Sequence, residues 1–323
     1  MKRRAFLKLT GVAAAGLVYS PYVSAQAAWP NRPVKLLLPY APGGATDLIG
    51  RPWSDKLSQA FGQPFVIENR GGASGMIGTE AVSKSPGDGY TFLLTPSATL
   101  SILPSLRKTP YDPVTAFKPV ARVGDLISGF VIHPSVGVKT FAEMLDHAKK
   151  NPGKLSYGSA GLGTSTHMRI EMLKYRAGLD ILHVPYRGSA DSLNDLLAGS
   201  IQMMNEINPL PHAKAGKLTL LNINHIKRSP DWPDTPTLTE LGYPDSDVPS
   251  WYSIQAPAGT PDDIINKLNS KIVEIAKTDE MKATMRGISV EVPLLSPAEM
   301  HDFLKKDIAR NAEVIRVAKI VLE

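Results

Sequence analysis

From Val34 onward the sequence alternates between two patterns. Short runs rich in β-branched, aliphatic and aromatic residues give way to longer stretches whose apolar positions fall three and four apart. The short runs suit strands and the stretches between them suit amphipathic helices. Repeated strand–helix alternation leads to α/β layers with helices on the faces of a mainly parallel sheet. The candidate strands are Val34–Leu38, Phe65–Glu68, Thr91–Leu94, Phe130–His133, Leu155–Tyr157, Ile181–Val184, Ile201–Met204, Leu218–Ile223 and Trp251–Gln255. Leu48, Ile49, Trp53, Leu57 and Phe61 trace one helical face, and Met144, Leu145 and Ala148 mark another. Pro52 falls inside the first of these, where it removes a backbone donor and predicts a kink. Thr260-Pro261-Asp262-Asp263 and Ser296-Pro297-Ala298-Glu299 each combine a capping hydroxyl, proline at the first helical position and an acid at the third, which marks helix starts. At 323 residues the chain exceeds the needs of one small core, so two lobes are expected.

Cysteine is absent. That excludes disulfides, thiolate metal sites, iron–sulfur clusters, a cysteine nucleophile and a lipidated cysteine anchor. The formal charge is +6, yet Lys2, Arg3, Arg4 and Lys8 are four of the 36 basic residues, and without them 32 basic face 30 acidic. No basic stripe with interleaved aromatics remains, so nucleic acid is not an expected partner. The basic start reads as an export signal over residues 1–27. A charged segment ending at Lys8 precedes a modest apolar run from Leu9 to Val18, and Ala25-Gln26-Ala27 supplies a small-x-small cleavage site before Ala28. The arginine pair and the weak Gly/Ala-rich apolar run favour the twin-arginine route. No later run reaches 18 apolar residues, so the expectation is a soluble periplasmic protein, not embedded in the membrane.

Four segments offer chemistry, and all follow a strand and open a helix. Pro39-Tyr40-Ala41-Pro42-Gly43-Gly44-Ala45-Thr46-Asp47 places two glycines before an amphipathic helix, where unpaired amides carry partial positive charge. Such a corner receives a carboxylate or phosphate without a cationic side chain. Asn69-Arg70-Gly71-Gly72-Ala73-Ser74-Gly75 is a second glycine turn. Its spacing fits neither the dinucleotide fingerprint nor a nucleophile elbow. Gly158-Ser159-Ala160-Gly161-Leu162-Gly163-Thr164-Ser165-Thr166-His167 gathers hydroxyls at a helix start, with His167 read more readily as packed structure than as a ligand contact. His183-Val184-Pro185-Tyr186-Arg187-Gly188-Ser189 adds an arginine able to fork onto a carboxylate. In open α/β folds such turns gather at the carboxyl ends of the strands. Catalytic equipment is thin by comparison. The seven histidines lack zinc-site spacing, His167 and Glu171 have no further ligands, and no acid pair stands out for proton transfer. Neither catalytic residues nor a metal nor a cofactor is expected.

With these motifs in order along the chain, the sequence resembles the substrate-binding proteins of tripartite tricarboxylate transporters, the TctC or Bug family. The likeness runs from Trp29-Pro30 through Pro110-Tyr111-Asp112-Pro113, Ala213-Lys214-Ala215-Gly216-Lys217-Leu218, Arg228-Ser229-Pro230 and Pro233-Asp234-Thr235-Pro236-Thr237 to Ala256-Pro257-Ala258-Gly259-Thr260-Pro261. The resemblance implies a two-lobed periplasmic-binding-protein clamp, residues 28–127 plus 252–323 against 128–251, joined by crossing strands. It implies capture of a small carboxylate, aliphatic or aromatic, and delivery to membrane permease subunits by a monomeric receptor. Sensing for a membrane kinase is the alternative, and a hydrolase using Ser74 or Ser165 is a more distant one. Carried over motif by motif, Tyr40, Pro42, Gly43, Gly44, Ala45 and Asp47 would hold one end of the ligand. The loops at Ala73-Ser74 and Thr95-Pro96-Ser97 would close the same pocket. Ser159, Gly163, Thr164, Ser165 and His167 would meet the far end, with Tyr186 and Arg187 nearby. Asn205-Glu206 departs from the family's usual apolar residue and Asp, and a cleft-facing Asn205 is expected to alter what the far end can be.

Overall fold

The computed structural model describes residues 29–320 apart from Ile226 and Lys319. The expected leader and its cleavage site lie outside the described residues. The first sheet is built from β1 (Val34–Leu38), β2 (Phe65–Asn69), β3 (Thr91–Pro96), β4 (Phe117–Leu126), β10 (Trp251–Pro257) and β11 (Val290–Glu291), in the order β11-β4-β10-β3-β1-β2. The second holds β5 (Gly129–Ile132), β6 (Ser156–Ser159), β7 (Leu182–Pro185), β8 (Met203–Glu206) and β9 (Thr219–Leu220), in the order β7-β6-β8-β5-β9.

Helices cover both sheets. They are α1 (Ala45–Phe61), α2 (Met76–Ser83), α3 (Leu103–Leu106), α4 (Phe141–Lys150), α5 (Ser165–Ala177), α6 (Ser189–Leu197), α7 (Leu210–Lys214), α8 (Asp262–Lys277), α9 (Asp279–Gly287) and α10 (Pro297–Ala318). Strand alternation distributes the core. Leu36, Leu38, Phe92 and Leu94 pack on one face with Ile49, Trp53 and Leu57 of α1 and Ile265 and Leu268 of α8. Leu37 and Leu93 point to the other face, against Val82 of α2 and Met300 and Leu304 of α10. In the second sheet Phe130 and Ile132 meet α4 and α5, while Val131 and Met204 meet Leu196 and Leu210. Being covered on both faces explains why these strands read as nearly unbroken apolar runs.

The expectation of mainly parallel sheets needs correction. Pairs β1–β2, β1–β3, β6–β7 and β6–β8 are parallel, but β10 runs antiparallel to β3 and β4, β11 antiparallel to β4, and β5 antiparallel to β8 and β9. Both sheets are mixed because the chain leaves the first sheet on β4 and returns to it on β10 in the opposite direction. β4 itself is absent from the sequence reading, since Lys118, Pro119, Arg122, Gly124 and Asp125 break its apolar pattern. Pro119 is tolerated because β11 pairs only with Asp125 and Leu126, leaving that stretch of β4 without a second partner. Pro52 lies within α1, which continues on both sides of it. Ser296 and Glu299 form the expected capping box, with the Glu299 amide donating to Ser296 Oγ at 3.2 Å and the Ser296 amide to Glu299 Oε2 at 2.8 Å. Thr260 does not cap: α8 begins at Asp262, and Thr260 Oγ1 is buried without a partner.

The chain passes from the first sheet to the second between β4 and β5 and returns to the first just before β10, and one side chain ties the two passages together. Arg169 of α5 is 1 % exposed. Its guanidinium donates to Ser128 Oγ (3.1 Å), Asn205 Oδ1 (2.6 Å) and the Val248 carbonyl (2.5 Å), and its Nε lies 3.7 Å from Asp247 Oδ1. Asn224 donates into the same cluster, at 2.8 Å to Asn205 Oδ1. Removing one member of such a buried network strands the others. Arg169→Met is therefore expected to lower stability by about 3–5 kcal/mol in urea denaturation with an unchanged m value. A loss under about 1 kcal/mol would mean that the network does not hold the crossing together.

Candidate ligand-binding site

Between the lobes lies a narrow cavity lined by Tyr40, Gly44, Ala45, Thr46, Pro96, Ala98, Ala160, Thr164, Ser165, Gly188, Ser189, Glu206 and Tyr252. Three helices begin on its wall: α1 after Gly44, α5 after Thr164 and α6 after Gly188. The first turn of a helix carries amides with no intrahelical acceptor and a partial positive charge. Three such ends on one small space make an anion-receiving site without a basic side chain in its wall.

The α1 corner is held from behind. Gly43 has φ +79, a conformation that glycine adopts without strain. Asp47, 3 % exposed, accepts the Gly43 amide at 3.1 Å, Arg51 Nε at 2.7 Å and Asn69 Nδ2 at 3.2 Å. Burial opposes its charge, but these hydrogen bonds, that from Arg51 first, hold the carboxyl below its ordinary range. Asp47 therefore shapes the corner and is not part of the cavity wall. The Ala45 amide crosses to the other lobe, where Ser189 Oγ accepts it at 3.2 Å along with Asn208 Nδ2 at 3.1 Å.

Of the residues singled out from the sequence, Tyr40, Gly44, Ala45, Thr164 and Ser165 line the cavity. Thr164 caps α5, its Oγ1 accepting the His167 amide at 3.4 Å and donating to the Gly161 carbonyl at 2.8 Å, and Ser165 Oγ donates to Ser250 Oγ at 2.8 Å. Tyr40 donates to the Ser74 carbonyl at 2.8 Å, which pins the loop in which Ala73 (φ 48) and Ser74 (φ 55) are left-handed.

The others lie elsewhere. Pro42 and Gly43 are exposed at the corner. Ala73 and Ser74 stand outside the wall, although a Cβ on Gly161 of the facing lobe would come within 2.8 Å of Ser74 Oγ. Pro96 takes the place expected of Thr95 and Ser97, which turn inward; Thr95 Oγ1 lies 2.6 Å from Thr99 Oγ1. Ser159 Oγ is consumed by Gly161 and by His183 Nε2 at 2.7 Å. Gly163 (φ +72) packs towards Leu103 and Leu106. His167 is interior: Nδ1 accepts the Gly163 amide at 3.2 Å, and the ring lies 4.4 Å from that of His183. Tyr186 donates to Asp195 Oδ2 at 2.6 Å, and Arg187 is exposed. Asn205 belongs to the Arg169 network, on the side of β8 away from the cavity. The expectation that it faces the cleft is corrected: a one-residue step reverses a strand's face, and Glu206 is the wall residue.

Sequence reasoning placed Pro96 in a pocket-closing loop but missed Thr46, Ala98, Ala160, Gly188, Ser189, Glu206 and Tyr252. For Ser189 the signal was present, since it opens α6 directly after the glycine of a quoted motif. Glu206 is 4 % exposed and its Oε2 has no hydrogen-bond partner. Among the described residues no group of three or more histidine, aspartate or glutamate side chains is placed to hold a metal ion, and no helix is long and apolar enough to cross a membrane.

The paired sheets, the crossing strands and a cavity between the lobes define the class of two-lobed periplasmic binding proteins. Residues 49–320 match the profile described as the tripartite tricarboxylate transporter family receptor, TctC, and the chain belongs to that family. Bordetella pertussis protein BugT is 34% identical over 295 residues, covering 89% of this chain and 90% of BugT. An R. palustris protein whose structure contains adipate is 34% identical, with TM-score 0.87 and coverage of 91% of this chain and 99% of that one. The periplasmic binding protein BugD is 31% identical, with TM-score 0.87 over 91% of this chain and all of its own.

Burial pushes the Glu206 carboxyl up from 4.5 to about 7, opposed by the Arg169 charge and the Ile207 amide. A folded value above the unfolded one gives stability that is complete below about 4.5 and is lost as pH rises through about 7. Burial lowers His167 to about 4 and His183 to about 3, so their contribution has the opposite slope, present above 6.5 and lost as pH falls towards those values. Subtracting Glu206→Gln from wild type removes the histidine terms. The stability difference is expected to fall by roughly 2–3 kcal/mol between pH 5 and pH 8, and a difference flat across that range would contradict the burial of this carboxyl.

Proposed function

We propose that this chain is a periplasmic receptor that captures a small carboxylate in the interlobe cavity and delivers it to the membrane permease subunits of a tripartite tricarboxylate transporter. The observation that carries the reading is the meeting of the α1, α5 and α6 N-termini on one cavity wall. Relatives add support: the R. palustris structure contains adipate, and MatC from Rhodopseudomonas palustris, 27% identical with TM-score 0.84, has bound malate. In this reading the lobes are residues 28–127 plus 252–323 and residues 128–251, and the leader directs export. The hydrolase alternative draws no support from the two serines named for it. Ser165 donates to another serine, and Ser74 stands outside the wall, so neither serine is paired with a base as acyl transfer needs. Closure follows from contact: a ligand touching amides of both lobes stabilises the state in which they meet.

A panel of mono-, di- and aromatic carboxylates is expected to include ligands that raise the thermal midpoint. A ligand at 100 times its Kd contributes about 2.7 kcal/mol. A panel giving neither a shift nor heat of binding would remove the carboxylate from the proposal. The closed state also needs Gly44 bare. A Cβ there would stand 3.2 Å from Ser189 Oγ although φ is −84, which any residue adopts. Gly44→Val is therefore expected to weaken binding of a panel ligand by about tenfold or more while sparing the fold of each lobe. Unchanged affinity would show that the lobes do not close on this contact.

A further inference from the structure

The cavity wall sets two electrostatic demands against each other. Three helix N-termini attract an anion, yet the Glu206 carboxyl stands in the same wall. A buried carboxylate oxygen without a donor is costly. Three hydroxyls of the wall are engaged elsewhere: the Tyr40 proton goes to the Ser74 carbonyl, the Thr164 proton to the Gly161 carbonyl and the Ser165 proton to Ser250, while Thr46 pairs with Tyr252. Ser189 Oγ accepts from Ala45 and Asn208, which leaves its own proton to point at an incoming carboxylate. Of the polar side-chain atoms in the wall, Glu206 Oε2 is the buried acceptor left without a hydrogen-bond partner. An unsubstituted dicarboxylate placed here brings acceptors to the helix ends and nothing for Glu206. A carboxylate carrying an ammonium or hydroxyl group answers both demands.

Resting on the reading of the cavity as a carboxylate site, we propose that Glu206 is its specificity-determining residue. Its Oε2 accepts a hydrogen bond from a donor on the ligand, so that the site selects amino- or hydroxy-substituted carboxylates over their unsubstituted parents. A site built around an acceptor discriminates strongly against a ligand lacking the matching donor, because binding then leaves that acceptor buried and unpaired.

Three matched sets test this by calorimetry on the full mature chain: succinate, malate and aspartate; glutarate, 2-hydroxyglutarate and glutamate; adipate and 2-aminoadipate. In the set that fits the cavity, a substituted acid is expected to bind at least about tenfold tighter than its parent. Glu206→Gln, which keeps an acceptor but not the charge, should weaken a preference for ammonium and retain one for hydroxyl. Glu206→Met should erase both, and these two arms identify which donor the site uses. Parents binding as tightly as their substituted forms, or a preference that survives in Glu206→Met, would overturn the inference while leaving the carboxylate site standing. If none of the eight acids binds although another carboxylate of the panel does, this inference fails and the carboxylate site stands; if no carboxylate of the panel binds, the carboxylate reading fails and this inference with it.

Discussion

Helix amides without partners are the constraint on which the rest of this structure depends. A helix start can serve as an anion site only if its amides face a space that water does not dominate, and one start by itself is weak. Here the α1, α5 and α6 starts are brought to the same wall from two different lobes. The turns before them are correspondingly bare. A Cβ on Gly43 would lie 3.7 Å from the Ala190 methyl, and one on Gly188 would lie 3.6 Å from the Ala41 methyl, so the two corners face each other at ordinary van der Waals distance. The polar side chains at the corners serve the geometry. Asp47 ties Gly43, Arg51 and Asn69 together, and Thr164 caps α5.

Convergence of this kind requires the lobes to be hinged with some accuracy, and the polar network around Arg169 sits at that junction. The guanidinium reaches Ser128 in one crossing segment and Val248 in the other, while Asn205 joins it from β8. The same short strand thus presents Asn205 to the hinge and Glu206 to the cavity. Hinge and binding wall share neighbouring residues of one strand, with the Arg169 charge acting on the Glu206 carboxyl.

Much of this was legible in the sequence. Strand–helix alternation gave the fold class, and the glycine-rich turns at Gly43-Gly44 and Gly158 to Thr164 marked two of the three helix starts on the wall. The errors have physical causes. β4 escaped notice because Pro119, Arg122 and Asp125 interrupt its apolar pattern, although a hinge strand with bulges accommodates them. Ser159 and His167 are of the right chemical type, but their hydrogen-bonding groups are taken by Gly161, Gly163 and His183, a competition that spacing does not reveal. Arg187 carried the obvious charge, while the next hydroxyl, Ser189, occupied the wall. Asn205 and Glu206 were separated by strand parity, which depends on register and hence on partners distant in sequence.

The central claim is that helix-start amides hold the ligand, and amide proton shifts report on them directly. In a ¹⁵N-labelled protein titrated with a bound carboxylate, the Thr46, Ser165 and Ser189 amides are expected to show the largest downfield movements, the Ala45 amide being taken by Ser189 Oγ. Perturbations that leave these three in place and centre instead on the groove of Asp231, Lys282, Arg286 and Glu291 would contradict it.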